Sequence, residues 1–273
     1  MPTDTRRIQG PETSNSPYDF CPTATSDPAL LEKQRLDGRD SAQMRPLFLR
    51  AGVISQARGS AYIEMNQTKA ICAVYGPREV QRREDFSLKG QLTCQFRFAT
   101  FASQHRRQHQ QGNQEKDLSV QMLEALEPAV CLHKYPKSQI NVYVTVLQHD
   151  GSVLSAGILC ASLALASAGV EMYDLVIASS AAMYNDLTIS DPTVQEEQAV
   201  LSRVGKGSSG MLTVAFMPSI NQVSAITSDG GIQFDTLNKT VRTVIDNCQK
   251  LYPVLQQTLV KHIEEKKKGI SSK

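Results

Sequence analysis

No run of apolar residues in this chain approaches the roughly 20 needed to cross a bilayer as a helix. The first residues, Met1 to Arg7, lack the apolar stretch of a signal peptide, so secretion is not expected. Six cysteines are present (Cys21, Cys72, Cys94, Cys131, Cys160 and Cys248), and no two stand at metal-ligand spacing. Most lie among apolar neighbours, as in Ile71-Cys72-Ala73 and Leu159-Cys160-Ala161. They read as free buried thiols in a reducing compartment rather than as a disulfide framework. Excess charge of one sign is also missing: the net charge is only +2. What remains is ordinary globular composition, 41% hydrophobic and 21% charged over 273 residues, enough for one large domain or two small ones.

The charge is uneven. Between Arg78 and Gln110 there are seven Lys or Arg against three carboxylates. A local basic segment on a nearly neutral body predicts one polyanion-facing region. Residues 1–44 are rich in Pro, Ser, Thr and Asp and show no periodicity, which predicts an extended or disordered tail. An ordered domain is expected over 45–265 and a basic end over 266–273.

Within the domain, Gly59–Glu64 and Lys69–Tyr75 flank a polar connection and predict a hairpin stopped by Gly76-Pro77. Leu92–Ala99 alternates as a third strand. Lys116–His133 reads as a helix, with Leu118, Met122 and Leu126 on one face and Pro128 ending or kinking it. Gln139–Gln148 is the clearest strand, with Ile140, Val142, Val144 and Val146 alternating with polar or half-polar residues. Asp150-Gly151 turns the chain into a helix over Ser155–Ala168, apolar all round and therefore buried on several sides, with Gly169 closing it. Its Ala, Ser and Gly residues permit close approach to a sheet.

A hairpin over Leu175–Met183 and Leu187–Ser190 follows, then a loop over Leu201–Gly210 and strands over Leu212–Met217 and Val223–Thr227. The chain closes on a long amphipathic helix carrying Phe234, Leu237, Val241, Val244, Cys248, Leu251, Leu255 and Leu259, which Pro253 should kink. The order is strands then helix, twice, which defines an α+β class with sheets packed on central and C-terminal helices.

Several stretches, in this order, resemble the RNase PH family: Gly59–Glu64, Ala73-Val-Tyr-Gly-Pro-Arg-Glu79, Glu124-Ala-Leu-Glu-Pro-Ala-Val130, Val146-Leu-Gln-His-Asp-Gly151 and Ala161–Gly169. The likeness runs from about Arg35 to about Leu259, and within the family it is nearest to ring subunits of the eukaryotic RNA exosome. The resemblance implies an RNase PH-like fold of two β-α units. It implies heterodimers with other RNase PH-like subunits in a six-membered ring, OB-fold cap proteins on top, and RNA passing through the channel. It also implies residence in nucleus, nucleolus and cytoplasm.

Active members of the family cleave RNA from its 3′ end with phosphate as nucleophile. The resemblance places a Thr-Arg phosphate grip after the Asp-Gly turn, where this chain has Val153 and Leu154. An aliphatic side chain donates no hydrogen bond and balances no charge, so that contact is expected to be gone. The family's Asp-x-x-x-x-Glu-Asp motif is outlined by Asp191–Glu197, with Glu197 at the first catalytic Asp, and Met211 falls where a second Asp belongs. These four positions predict a degenerate site with no catalytic residue, no metal and no cofactor.

RNA contact is the function left. Arg78, Arg82 and Arg83 fall in the loop that faces the pore in ring-forming relatives, and Arg106 and Arg107 match an RNA-contacting Arg pair. The weaker signals are passed over. His105 and His109 are four apart, but no Cys or carboxylate stands near them to complete a metal site. Glu124, Glu127, Glu196 and Glu197 read as solvated carboxylates. Gly205–Gly210 lacks the spacing of a phosphate loop. The reading is a non-catalytic ring subunit. The alternatives are an active phosphorolytic exoribonuclease working through Glu196 and Glu197, and a stand-alone RNA-binding homodimer.

Overall fold

The computed structural model describes residues 35, 37–80, 87–103, 106–184, 187–202 and 209–271. Two sheets share one core. The first has five strands in the order β1-β2-β3-β5-β4: β1 (Leu47–Ala51), β2 (Gly59–Met65), β3 (Thr68–Glu79), β4 (Gln91–Phe98) and β5 (Ser138–Gln148). All its pairings are antiparallel except β4 with β5. The second is antiparallel with four strands in the order β7-β6-β8-β9: β6 (Ile177–Tyr184), β7 (Leu187–Ser190), β8 (Ser209–Met217) and β9 (Gln222–Gly231).

Among the described residues four α-helices join them: α1 (Asn113–Leu126), α2 (Val153–Ser167), α3 (Val194–Leu201) and α4 (Phe234–Ser271). Helix α2 is the centre of the molecule, and Val153 through Leu165 are all buried. Its small residues set the distance to the first sheet. A Cβ on Gly59 would stand 2.3 Å from the Ala164 carbonyl oxygen, and one on Gly157 would stand 2.5 Å from the Phe96 ring. Each fully buried Leu or Ile there, such as Leu159 or Leu163, contributes about 1.5–3 kcal/mol. Gly169, at a positive φ of 73°, ends the helix as expected.

Strand β4 lies at the edge of its sheet, and α1 satisfies its outward backbone groups. The Phe96 N–H donates to Ser119 Oγ at 2.9 Å and the Phe98 N–H to Glu115 Oε1 at 2.8 Å. Glu115 also accepts the Gly112 N–H at 2.9 Å, so one carboxylate caps the helix and holds the strand. Helix α1 stops at Leu126, and a short 3-10 turn carries Pro128. Helix α4 lies against the second sheet and β1, its Val244, Cys248 and Leu255 fully buried. Helix α3 covers the other face of the second sheet, with Ala199 and Val200 against Ala182 and Ile189.

Several boundaries differ from expectation. Strand β3 continues through the cis Gly76–Pro77 bond to Glu79, with a register shift between Tyr75 and Arg78 that lets the proline pass without breaking the pairing. Strand β9 continues through Asp229-Gly230-Gly231, because β8 holds these residues in register opposite Ser209 to Met211. Pro253 lies inside α4 without ending it, and α4 runs on past residue 266 to Ser271. Strand β1 and helix α3 were not anticipated. The expected tail over 1–44 lies mostly outside the described residues, but its last part is packed: Arg35 is 5% exposed and fully engaged. The loop expected over Leu201–Gly210 lies largely outside the described residues, as do Arg82, Arg83 and His105.

Candidate functional site

The site begins where β5 ends. The chain reverses over His149–Ser152 into α2, with Gly151 at φ 82° and Ser152 at φ 51°. A Cβ on Gly151 would stand 2.4 Å from the Pro192 carbonyl oxygen, so only glycine permits the turn to lie against the segment leading into α3. Thr68 fixes the turn from the other side. Its Oγ1 donates to the Gly151 carbonyl at 2.9 Å and accepts the Asp150 N–H at 3.2 Å.

Around this turn lies a buried network of charge. Arg45 grips Asp191 in two bonds, Nε to Oδ2 at 2.8 Å and Nη2 to Oδ1 at 2.7 Å. Its Nη1 also donates to the Asp150 carbonyl at 2.6 Å and to Thr68 Oγ1 at 3.1 Å. Arg35 grips Glu196 the same way, Nε and Nη2 each at 2.8 Å, and donates to the Ser190 and Asp191 carbonyls at 3.0 Å. Planar guanidinium forks on carboxylates are the strong form of this contact. Burial works to raise the Asp191 carboxyl, but the Arg45 guanidinium overrides it and holds Asp191 below the ordinary carboxylate value.

Glu197 closes the site. Its Oε1 accepts the N–H of Ser152, the N-cap residue of α2, at 2.7 Å. The N-terminus of a helix attracts anions, because its backbone N–H groups are unpaired and its dipole is positive there. In this chain that position is occupied by the chain's own Glu197 carboxyl group. Burial pushes Glu197 up to about 7, against the Ser152 N–H and Arg45, which pull it down. Burial also raises Asp150 to about 6, again against Arg45.

The residues singled out in the sequence fall in three places. Val153 and Leu154 stand in the first turn of α2, 7% and 8% exposed and part of the main core. Glu197 meets them through Ser152. Met211 sits on β8 against the small cluster under α3 and pairs across the strands with Asp229. Cross-strand neighbours share a face, so Asp229 is a carboxylate on the side of Met211 that the sequence reading passed over.

The Arg pair divides. Arg106 is exposed. Arg107 is folded back with its guanidinium carbon 3.9 Å from the centre of the Phe98 ring, and it donates to Ser103 Oγ at 3.3 Å and Gln114 Oε1 at 3.2 Å. His149 tilts against the same ring at 5.5 Å, and burial, with Arg107 and Arg45 nearby, lowers it to about 4. Arg78 is elsewhere. It pairs with Gln139 at the start of β5, whereas the Asp150 turn follows the end of that strand, roughly 30 Å away along it.

Arg35 and Arg45 are the functional-looking residues that sequence reasoning missed. Their partners stand 161 and 146 positions away, so no local spacing announces them. Among the described residues no three His, Cys, Asp or Glu are placed to hold a metal ion.

Two packed β-α units meeting at a turn-helix anion position define an RNase PH-type domain. Residues 43–171 match the family described as "3' exoribonuclease family, domain 1". The chain is 40% identical over 278 residues to exosome complex component MTR3 of Homo sapiens, covering 96% of each chain. It is 33% identical over 237 residues to exosome complex component Rrp41 of Cenarchaeum symbiosum, covering 86% of this chain and 94% of that one. Rrp46 from rice superposes with a TM-score of 0.71 at 22% identity, covering 82% of this chain and 100% of that one, which speaks for the fold. The chain belongs to the RNase PH family.

Proposed function

We propose that this chain is a non-catalytic subunit of the RNA exosome ring, paired with other RNase PH-like subunits beneath OB-fold caps. It would support 3′→5′ RNA processing and degradation and line part of the RNA channel, in nucleus, nucleolus and cytoplasm. Relatives named as exosome components along nearly the whole chain support the assembly.

The observation that carries the non-catalytic reading is the Glu197–Ser152 contact beside Val153 and Leu154. A phosphate entering there would meet a carboxylate already holding the helix N-terminus. It would find two aliphatic side chains where a donor and a guanidinium are needed. Electrostatic stabilisation of a phosphoryl group asks for donors aimed at its oxygens, and these side chains supply none. Asp191 and Glu196 are likewise engaged by Arg45 and Arg35. The same residues make the site a structural junction joining the start of the domain, the central helix and α3. Arg78, Arg82, Arg83, Arg106 and Arg107 remain the proposed RNA contacts, with Arg106 better presented than Arg107.

The full chain, incubated with an RNA oligonucleotide, inorganic phosphate and Mg2+, should release no nucleoside diphosphates. Its native complex should have the mass of a ring with caps. Phosphate-dependent release by the chain alone would favour an active exoribonuclease, and a complex of two copies would favour the homodimer.

A further inference from the structure

The five-stranded sheet buries one face under α2 and leaves the other open, and the open face has an unusual composition. Strict alternation sends Ala61, Ile63, Cys72, Val74, Val142 and Val144 to the core. The residues between them point outward. The strand register sets Arg50 opposite Tyr62, Tyr62 opposite Ile71, Ile71 opposite Thr145 and Thr145 opposite Arg97. A single row thus crosses the whole sheet with an exposed arginine at each end. Beside this row on one side lies Phe48, 54% exposed and edge-on to Tyr62 at 6.4 Å. On the other side lies Tyr143, 40% exposed and edge-on to Tyr75 at 5.8 Å, with the Arg78 guanidinium 5.3 Å above the Tyr75 ring.

Charge on this face is one-sided. Arg50, Lys69, Arg78 and Arg97 stand against Glu64, which Lys69 approaches at 3.6 Å and the Tyr62 hydroxyl at 3.3 Å, and against Glu79, exposed at the end of β3. A sheet buried on one face needs only polar residues on the other. Four aromatic rings on adjacent strands, interleaved with more cations than carboxylates, exceed that need. Aromatic planes accept unstacked bases of any sequence, and flexible cations accept the phosphates between them. A broad sheet cannot enter the narrow major groove of duplex RNA, so the chemistry selects single strands.

We propose that the open face of the five-stranded sheet, centred on Tyr75, Tyr143 and the Arg50–Arg97 row, binds single-stranded RNA by base stacking. This surface lies apart from the Asp150–Glu197 junction, and through Arg78 it extends the RNA contacts proposed above. Positive charge complementary to a polyanion, together with rings suited to bases, favours RNA over a protein partner.

The test uses the full chain and a fluorescent, unstructured RNA of about twenty nucleotides. The paired variant Tyr75→Ala/Tyr143→Ala should weaken binding on the order of tenfold or more, since each stacked base lost costs roughly five- to hundredfold. Tyr75→Phe/Tyr143→Phe should bind as the parent does. Arg97→Glu should weaken binding and reduce its salt dependence. Unchanged affinity in the alanine pair would overturn the proposal. So would equal loss of duplex RNA binding, or protection of this face from hydrogen exchange in the assembled complex without RNA, which would make it a protein interface. Should the alanine pair fail to fold, ultraviolet crosslinking of the parent chain decides: adducts on the Tyr75 and Tyr143 peptides support the proposal, and adducts confined to other peptides refute it.

Discussion

Glu197 and Ser152 meet at 2.7 Å, carboxylate to backbone N–H, across the head of the central helix. The contact joins α3 to α2 and sets a carboxyl oxygen against an N–H at the positive end of the helix dipole. On the non-catalytic reading proposed above, adding one donor is not expected to build a phosphate site. Leu154→Arg puts a guanidinium in the first turn of α2, but the carboxylate of Glu197 stands ready to pair with it. Phosphate-dependent release of nucleoside diphosphates from RNA should therefore stay at background in Leu154→Arg. The added charge must also leave a core position, so the variant should melt lower than the parent by about 2–4 kcal/mol in a denaturant titration.

The same contact has a pH signature. Glu197 is raised from 4.5 to about 7 in the folded chain. Between those values the folded protein holds a proton that the unfolded chain has released, so this group's stabilising contribution is lost as pH rises through about 7. His149, lowered from 6.5 to about 4, acts in the opposite sense, costing stability as pH falls through that window. Glu197→Gln removes the first effect and keeps an oxygen for the Ser152 N–H. Its stability relative to the parent should rise between about pH 5 and pH 8, on the order of 1 kcal/mol. A difference that stays flat across that range would show that Glu197 titrates as an ordinary carboxylate.

Arg45 tests the junction as structure. Removing one partner of a buried bidentate pair leaves the other charge stranded. Arg45→Ala should cost about 3–5 kcal/mol in chemical denaturation, with Asp191 and the Asp150 and Gly151 carbonyls all losing a donor. Arg45→Met combined with Asp191→Leu should cost clearly less than the sum of the two single changes.

How much of this was legible follows from the range of the interactions. The β2–β3 hairpin, β5 and α2 were readable because alternation, turn chemistry and a closing glycine are local. Helix α3 was missed because Val194–Leu201 offers eight residues with only two apolar positions deep in contact, Ala199 and Val200. Strand β3 was cut short at Gly76-Pro77 because the pairing with Gln139 and Ser138 that carries it on lies some sixty residues away. The Arg35 and Arg45 locks were invisible for the same reason. The turn at Asp150 and the aliphatic pair after it could be found from the sequence. That Glu197 fills the anion position could not, since it depends on α3 folding back over Gly151.

The close seating of α2 on the first sheet gives a packing prediction. Gly59→Ala would drive a methyl group to 2.3 Å from the Ala164 carbonyl and 2.4 Å from the Ala168 nitrogen. Both are backbone atoms, so helix and strand must separate. The expected loss is about 1–3 kcal/mol, read as a lower melting temperature. Gly112→Ala, where a Cβ meets nothing within 4 Å, serves as the control and should change stability little.

Arg106 and Arg107 are adjacent in sequence and should separate by experiment. Arg107 covers Phe98 and bonds to Ser103 and Gln114, and burial lowers its guanidinium from its usual value. Arg107→Ala uncovers the ring and frees Gln114 near the start of α1, so it should cost about 0.5–2 kcal/mol of stability. Arg106 is exposed, and Arg106→Ala should leave the melting temperature within error. If Arg106 contacts phosphate, its loss should weaken RNA binding uniformly across sequences and lower the salt slope by about one unit. The two measurements, melting and RNA titration over a range of salt, should sort the pair cleanly. A destabilised Arg106→Ala, or an Arg107→Ala that melts like the parent and alone loses RNA, would reverse the assignment.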